Sequence, residues 1–142
     1  MELKLWKDKN NGQIEPDLFS EKAEDLAKRI YKEQQDSRGK ANKPTQIRKF
    51  YDEVLRFNGI VKTNPAEFEN ILPYLKMLNA KAAYAMGRDL VSKGFKDFIS
   101  SSLNQIKDKN DFDLFVGLFE AFMGYYKFYD EKGETLSVGG GR

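Results

Sequence analysis

Apolar residues recur every three or four positions along most of this chain, and the helices they predict meet at one stretch, FDLFVGLFEAFMGYYKFY at residues 112–129. Drawn as a helix, Phe112, Phe115, Leu118, Phe119, Phe122, Tyr126 and Tyr129 share a face, and Leu114, Ala121, Tyr125 and Phe128 widen it. A narrow stripe of Asp113, Gly117, Glu120, Gly124 and Lys127 is left, so a helix about 27 Å long is apolar around most of its circumference. The pattern predicts either the central strut of a bundle or a helix that is partly an interface with another chain. Asp113, Glu120 and Lys127 interrupt it too often for a membrane span.

Four further helical segments lead up to it. Ala23, Leu26, Ala27, Ile30 and Tyr31 predict a first helix from Ser20, as N-cap, to about Gln35. SRGKANKP at 37–44 reads as a flexible basic loop. A second helix follows Pro44 towards Val61, with Ile47, Phe50, Tyr51, Val54, Phe57 and Val61 on one side and Arg48, Lys49, Asp52, Glu53 and Arg56 on the other. Asn64, Pro65 and Glu67 form a helix start of the capping-box type, and Pro73 predicts a break at Leu72 before a helix from Pro73 to about Met86. Leu75, Leu78, Ala82, Ala85 and Met86 are its inward side. A fourth helix is expected from about Leu90 to Lys107, then a turn at 108–111 in which Asn110 or Asp111 caps the aromatic helix. Residues 1–16 fit either a short docked strand or a loose arm, and Gly133 marks a stop before a flexible tail at 133–142. No strand alternation or glycine-rich phosphate loop interrupts the pattern. The fold class is therefore all-α, one domain over 1–142 with a bundle of about five helices.

Composition then removes most chemistry. The 142 residues include neither Cys nor His, which excludes disulfides, thiolate nucleophiles, Cys or His zinc sites and imidazole acid-base catalysis. Asp108, Asp111 and Asp113 could be read as a magnesium site, but helix capping explains two of them better, so no catalytic residue, metal or cofactor is expected. The opening MELKLWKDKN has no leader pattern, and a cytoplasmic location without membrane contact is expected.

Charge changes the picture when it is followed along the chain. Residues 1–36 carry a net −2, 37–63 a net +5, 64–107 a net +2 and 108–142 a net −3. A basic middle between acidic ends points to a local anionic partner. Two readings of the second helix's charged side remain open. Arg48 with Asp52, Lys49 with Glu53 and Asp52 with Arg56 are i, i+4 pairs of an ordinary solvated face, or else the cations continue Arg38, Lys40 and Lys43 as a phosphate-facing strip. Lys81, Tyr84 and Arg88 line up on one stripe, either to hold a phosphate and stack a base or as a packing tyrosine with snorkelling neighbours.

Three segments in order, KPTQIRKFYDEV at 43–54, LPYLKMLNAKAAYAMGR at 72–88 and DFDLFVGLFEAFMGYYKFY at 111–129, resemble one family, the small helical subunit of the type III-A CRISPR effector, the Csm complex. The resemblance spans roughly residues 20–130 and leaves out the first fifteen residues and the glycine tail. It implies a non-catalytic subunit that stacks in several copies as the minor filament and lines the channel where guide RNA pairs with target RNA. Its partners would then be guide and target RNA, the other subunits of the complex, and further copies of itself; the spare apolar girdle of the last helix would separately allow a homodimer in isolation. Sequence-independent contacts to the RNA backbone would fall to Arg48, Lys49, Arg56, Lys81 and Arg88, with Lys43 and Lys127 as outer members and Tyr84 as a stacker. The competing expectation is a helical protein-protein adaptor without nucleic-acid binding.

Overall fold

The computed structural model describes the backbone of residues 3–140 and the side chains of residues 3–132. Among the described residues are six α-helices: α1 (Glu21–Asp36), α2 (Pro44–Thr63), α3 (Phe68–Lys76), α4 (Leu78–Gly87), α5 (Lys93–Gln105) and α6 (Lys109–Gly140). The all-α bundle is as expected, and a small antiparallel hairpin of β1 (Trp6–Asp8) and β2 (Gln13–Ile14) precedes it.

α6 is the strut that its composition predicts. Phe112, Phe115, Leu118, Phe119, Phe122 and Tyr126 are buried, and the other helices pack around them. From α5, Phe98 meets Phe119 at 5.4 Å and Phe122 at 5.6 Å between ring centroids. From α2, Tyr51 meets Phe119 at 5.3 Å, while Phe50 reaches Phe95 of α5 at 5.2 Å. α1 lies along the remaining side, where Tyr31 stacks on Tyr129 at 6.3 Å and Glu24 accepts the Tyr129 hydroxyl at 2.7 Å. The apolar girdle is thus largely used within the chain, and Phe128 is its one member left about half exposed, at 49%. Even Gly117 on the polar stripe is used, because the Phe19 ring lies where a β-carbon would stand.

Several boundaries differ from the expected ones for identifiable reasons. The break expected at Leu72 does not occur; α3 runs through Pro73, and the irregularity falls one turn later at Met77. Phe68, Ile71, Leu75 and Leu78 are all buried at helical spacing, so tertiary packing outweighs the hydrogen bond that the proline forfeits. Asn64 does cap, accepting from the Ala66 N–H at 3.3 Å, but only over a 3-10 turn at Pro65–Glu67, and Glu67 accepts from Asn70 instead of reaching back. α5 begins at Lys93 because Ser92 caps it through the Phe95 N–H at 3.3 Å. Met86, expected inside, is exposed. Helical backbone continues past Gly133, where a stop was expected. The flexible tail expected at 133–142 falls on residues whose side chains lie outside those described.

The cap of α6 is a reciprocal pair. Asp108 accepts from the Asp111 N–H at 2.9 Å and Asp111 from the Asp108 N–H at 3.1 Å, so Asp108, not Asn110 or Asp111, takes the cap position. Asp111 also accepts from the Lys107 N–H at 2.8 Å, from the Trp6 indole at 2.8 Å and from Lys9 at 2.9 Å. Its burial opposes ionisation, yet these donors outweigh that and hold its carboxyl below the usual range. With Leu5 and Leu18 fully buried, and the Leu5 N–H given to Gln105 at 3.0 Å, the described part of the arm, residues 3–16, lies docked on the bundle.

The segment 37–44 is not the flexible loop its composition suggested. Asn42 sits in the left-handed region, at φ 63°, with its side chain fully buried. Its amide donates to the Ile30 carbonyl at 3.2 Å and the Ser92 hydroxyl at 2.8 Å, and its side-chain oxygen accepts from the Ser92 N–H at 2.8 Å. Its backbone carbonyl takes hydrogen bonds from Gln34 at 3.1 Å and from the Tyr126 hydroxyl. One residue therefore ties α1, α5 and α6 together at the entry to α2 and fixes where the α2 cations stand.

Candidate nucleic-acid interface

α2 and α4 leave a groove between them of about 380 Å³. Lys49 enters it from α2; Lys81, Tyr84 and Arg88 enter it from the stripe predicted on α4. The floor is apolar, made by Phe50, Leu78, Ala85 and Leu90, and its polar edge includes Gln46 and Glu53. Phe50, Leu78 and Ala85 appear in the sequence simply as core residues.

Charge in the groove is unbalanced towards the cations. Among the described residues Lys49 and Lys81 make no ion pair, so the expected Lys49–Glu53 pair does not form. Glu53 is held by Arg56 instead, three residues on, and the expected Asp52–Arg56 pair is absent among the described residues as well. Tyr84 is 66% exposed. The Arg88 guanidinium lies 5.7 Å from its ring centre and donates to its hydroxyl at 3.3 Å, which holds ring and cation at the same mouth.

The other predicted cations are placed elsewhere. Arg48 and Lys127 line a second hollow, of about 190 Å³, between the start of α2 and α6. Asp130 and Glu131 share that hollow, and Arg48 is drawn to Asp52 at 3.8 Å. Arg56 is taken by Glu53 and lies over the Phe57 ring at 4.5 Å. Lys43 occupies the N-cap position of α2, exposed, and lines neither hollow. Lys40, further back along the supposed strip, reaches Asp89 at 3.6 Å. Four of the eight predicted residues therefore meet in one groove, two in another, and Arg56 and Lys43 stand apart. The cause is angular: Arg48 and Lys49 are successive residues on α2, about 100° apart, so they look into different valleys.

No helix among the described residues is long and apolar enough to cross a membrane. Taken together, the features define a small all-α subunit whose distinguishing surface is a cationic groove with an apolar floor. Residues 14–132 match the family model described as Csm2 Type III-A, and the chain belongs to that family, the small subunit of the type III-A CRISPR Csm complex. The match begins within the hairpin and ends inside α6, so the Trp6 and Lys9 contacts of the arm lie outside it. Neither the curated proteins nor the solved structures gave a match.

Proposed function

We propose that this chain is a non-catalytic building block of the type III-A effector, stacking in copies as its minor filament and contacting guide and target RNA through their backbones, in the cytoplasm. Membership of the family supports the place in the complex. The observation that carries the RNA contact is the convergence of Lys49, Lys81 and Arg88 from two helices on one groove, with no equal number of acids to neutralise them. Guide and target read one another by base pairing, so this subunit has only to hold phosphates wherever they fall. Lysine and arginine on rigid helices do that without sequence preference.

The test is RNA binding by the full chain across a salt series. Binding should weaken steeply with salt, be indifferent to sequence, and fall on Lys49→Glu or Lys81→Glu. Absence of binding at low salt, both for the chain alone and for its increment in the assembled complex, would leave the protein-protein adaptor as the better account. Exposed Tyr74 of α3 and Met77, at the junction of α3 with α4, are what such an adaptor would use.

A further inference from the structure

A surface that holds only duplex phosphates has no use for a hydrophobic floor. Yet the α2–α4 groove between the cations is floored by the nearly buried Phe50, Leu78 and Ala85 and the half-buried Leu90, with the exposed Tyr84 among its lining. We propose that this groove seats one unpaired nucleotide, its base on the apolar floor against Tyr84 and its phosphate among Lys49, Lys81 and Arg88. The inference rests on the RNA reading given above and narrows it from nucleic-acid backbone in general to single-stranded RNA.

Size, shape and charge point the same way. The groove's 380 Å³ lies at the small end of the range of about 300–1,000 Å³ occupied by pockets for small organic ligands, which gives room for a nucleotide and none for a helical turn of duplex. An A-form duplex turns its bases inward and presents sugars and phosphates, so it would leave the floor uncovered. A splayed base offers two apolar faces and stacks on aromatic or guanidinium planes whatever its identity. Tyr84 and Arg88 supply one of each, already held together by the hydroxyl contact, so little side-chain freedom is lost on binding. Glu53 is the acid on the rim, and its engagement with Arg56 keeps its charge from cancelling the three cations.

The experiment compares three RNAs of equal length and charge per strand with the full chain: a single strand, a duplex, and an abasic ribose-phosphate strand. Fluorescence anisotropy should show the single strand binding about tenfold tighter than either of the others, equivalent to about 1.4 kcal/mol. Tyr84→Ala should bring the single strand down to the abasic level and change abasic affinity less than twofold, while Tyr84→Phe keeps most of the difference. Tyr84 is exposed, so neither substitution threatens the fold. Equal, salt-sensitive binding of abasic and ordinary strands would overturn the nucleotide seat and leave the backbone reading standing. Failure of all three to bind at low salt, both with the chain alone and as its increment in the assembled complex, would remove both. Binding of poly-glutamate as tightly as the single strand would show a surface for acidic proteins, and would overturn the proposal too.

Discussion

The indole of Trp6 donates to Asp111 across 2.8 Å, joining the N-terminal hairpin to the first turn of the aromatic helix 105 residues away in sequence. Asp111 takes four donors in all, from Trp6, Lys9 and the N–H groups of Lys107 and Asp108. It is at once the helix's cap partner and the anchor of the arm.

Asp111→Asn should therefore lower stability by on the order of 2 kcal/mol, since it weakens charge-assisted hydrogen bonds at a buried site. Trp6 is the chain's single tryptophan, so its emission should shift to the red if the arm comes away. The pH dependence has a definite sign. The folded state holds the Asp111 carboxyl below the ordinary 3.8, so its contribution is complete above that value and is lost as the pH falls from there through the lower folded value. The gap between wild type and Asp111→Asn in urea midpoint should be full at neutrality and close below about pH 4. A gap that stays constant down to about pH 2 would mean that the carboxylate charge contributes nothing.

Asn42 separates two contributions that a single substitution would merge. Alanine there loses the bonds to Ser92 and Ile30 and must also take φ 63°, which costs an ordinary residue about 1–2 kcal/mol. Asn42→Ala should cost about 2–4 kcal/mol in denaturant unfolding, and Asn42→Gly about 1 kcal/mol less, because glycine accepts the left-handed backbone. Equal losses would assign the whole effect to the hydrogen bonds.

That residue also marks the limit of what periodicity reveals. The core faces of α1, α2 and α6 follow from spacing because burial recurs with the helical turn, and Ala23, Ile30, Ile47, Val54, Phe115 and Phe122 are buried where the pattern puts them. Asn42 has no period. In SRGKANKP it looks like any other turn residue, and only the meeting of α1, α5 and α6 shows that it is buried and satisfied. Pro73 misleads in the other direction, since local propensity says break and four buried neighbours say helix. The stripe of Lys81, Tyr84 and Arg88 is legible on one helix, but its partner Lys49 is not. Which α2 cation faces α4 depends on how the two helices pack, and Arg48 and Lys49 look alike until then.

The aromatic girdle gives a contrast within one helix. Phe119 packs against Tyr51, Phe98 and Phe122 and is fully buried, so Phe119→Ala should destabilise by about 3–5 kcal/mol. Phe128 is half exposed, and Phe128→Ala should change the melting of the isolated chain by less than about 0.5 kcal/mol. If copies associate through this face, the Phe128 substitution should instead appear in sedimentation velocity, as a shift towards monomer. A large, concentration-dependent loss of stability in Phe128→Ala would show that the isolated protein is already an obligate oligomer through that residue.

Arg48 and Lys81 are both exposed cations of the basic midsection, and the two grooves assign them different weight. Lys81 shares its groove with Lys49 and Arg88 against an already engaged Glu53. Arg48 shares its hollow with Lys127 but also with Asp130 and Glu131, and leans towards Asp52. Local potential should thus be positive at the first and close to neutral at the second, and a phosphate chain will follow the first. Lys81→Glu should reduce RNA affinity strongly and flatten the salt dependence by about 0.7 in log–log slope, the share of one phosphate on a single strand. Arg48→Glu should lower affinity only a few fold and leave that slope nearly unchanged. Binding isotherms over a potassium chloride series decide between them. If both reversals flatten the slope equally, the RNA crosses both valleys and the cations of α2 act as one continuous strip after all.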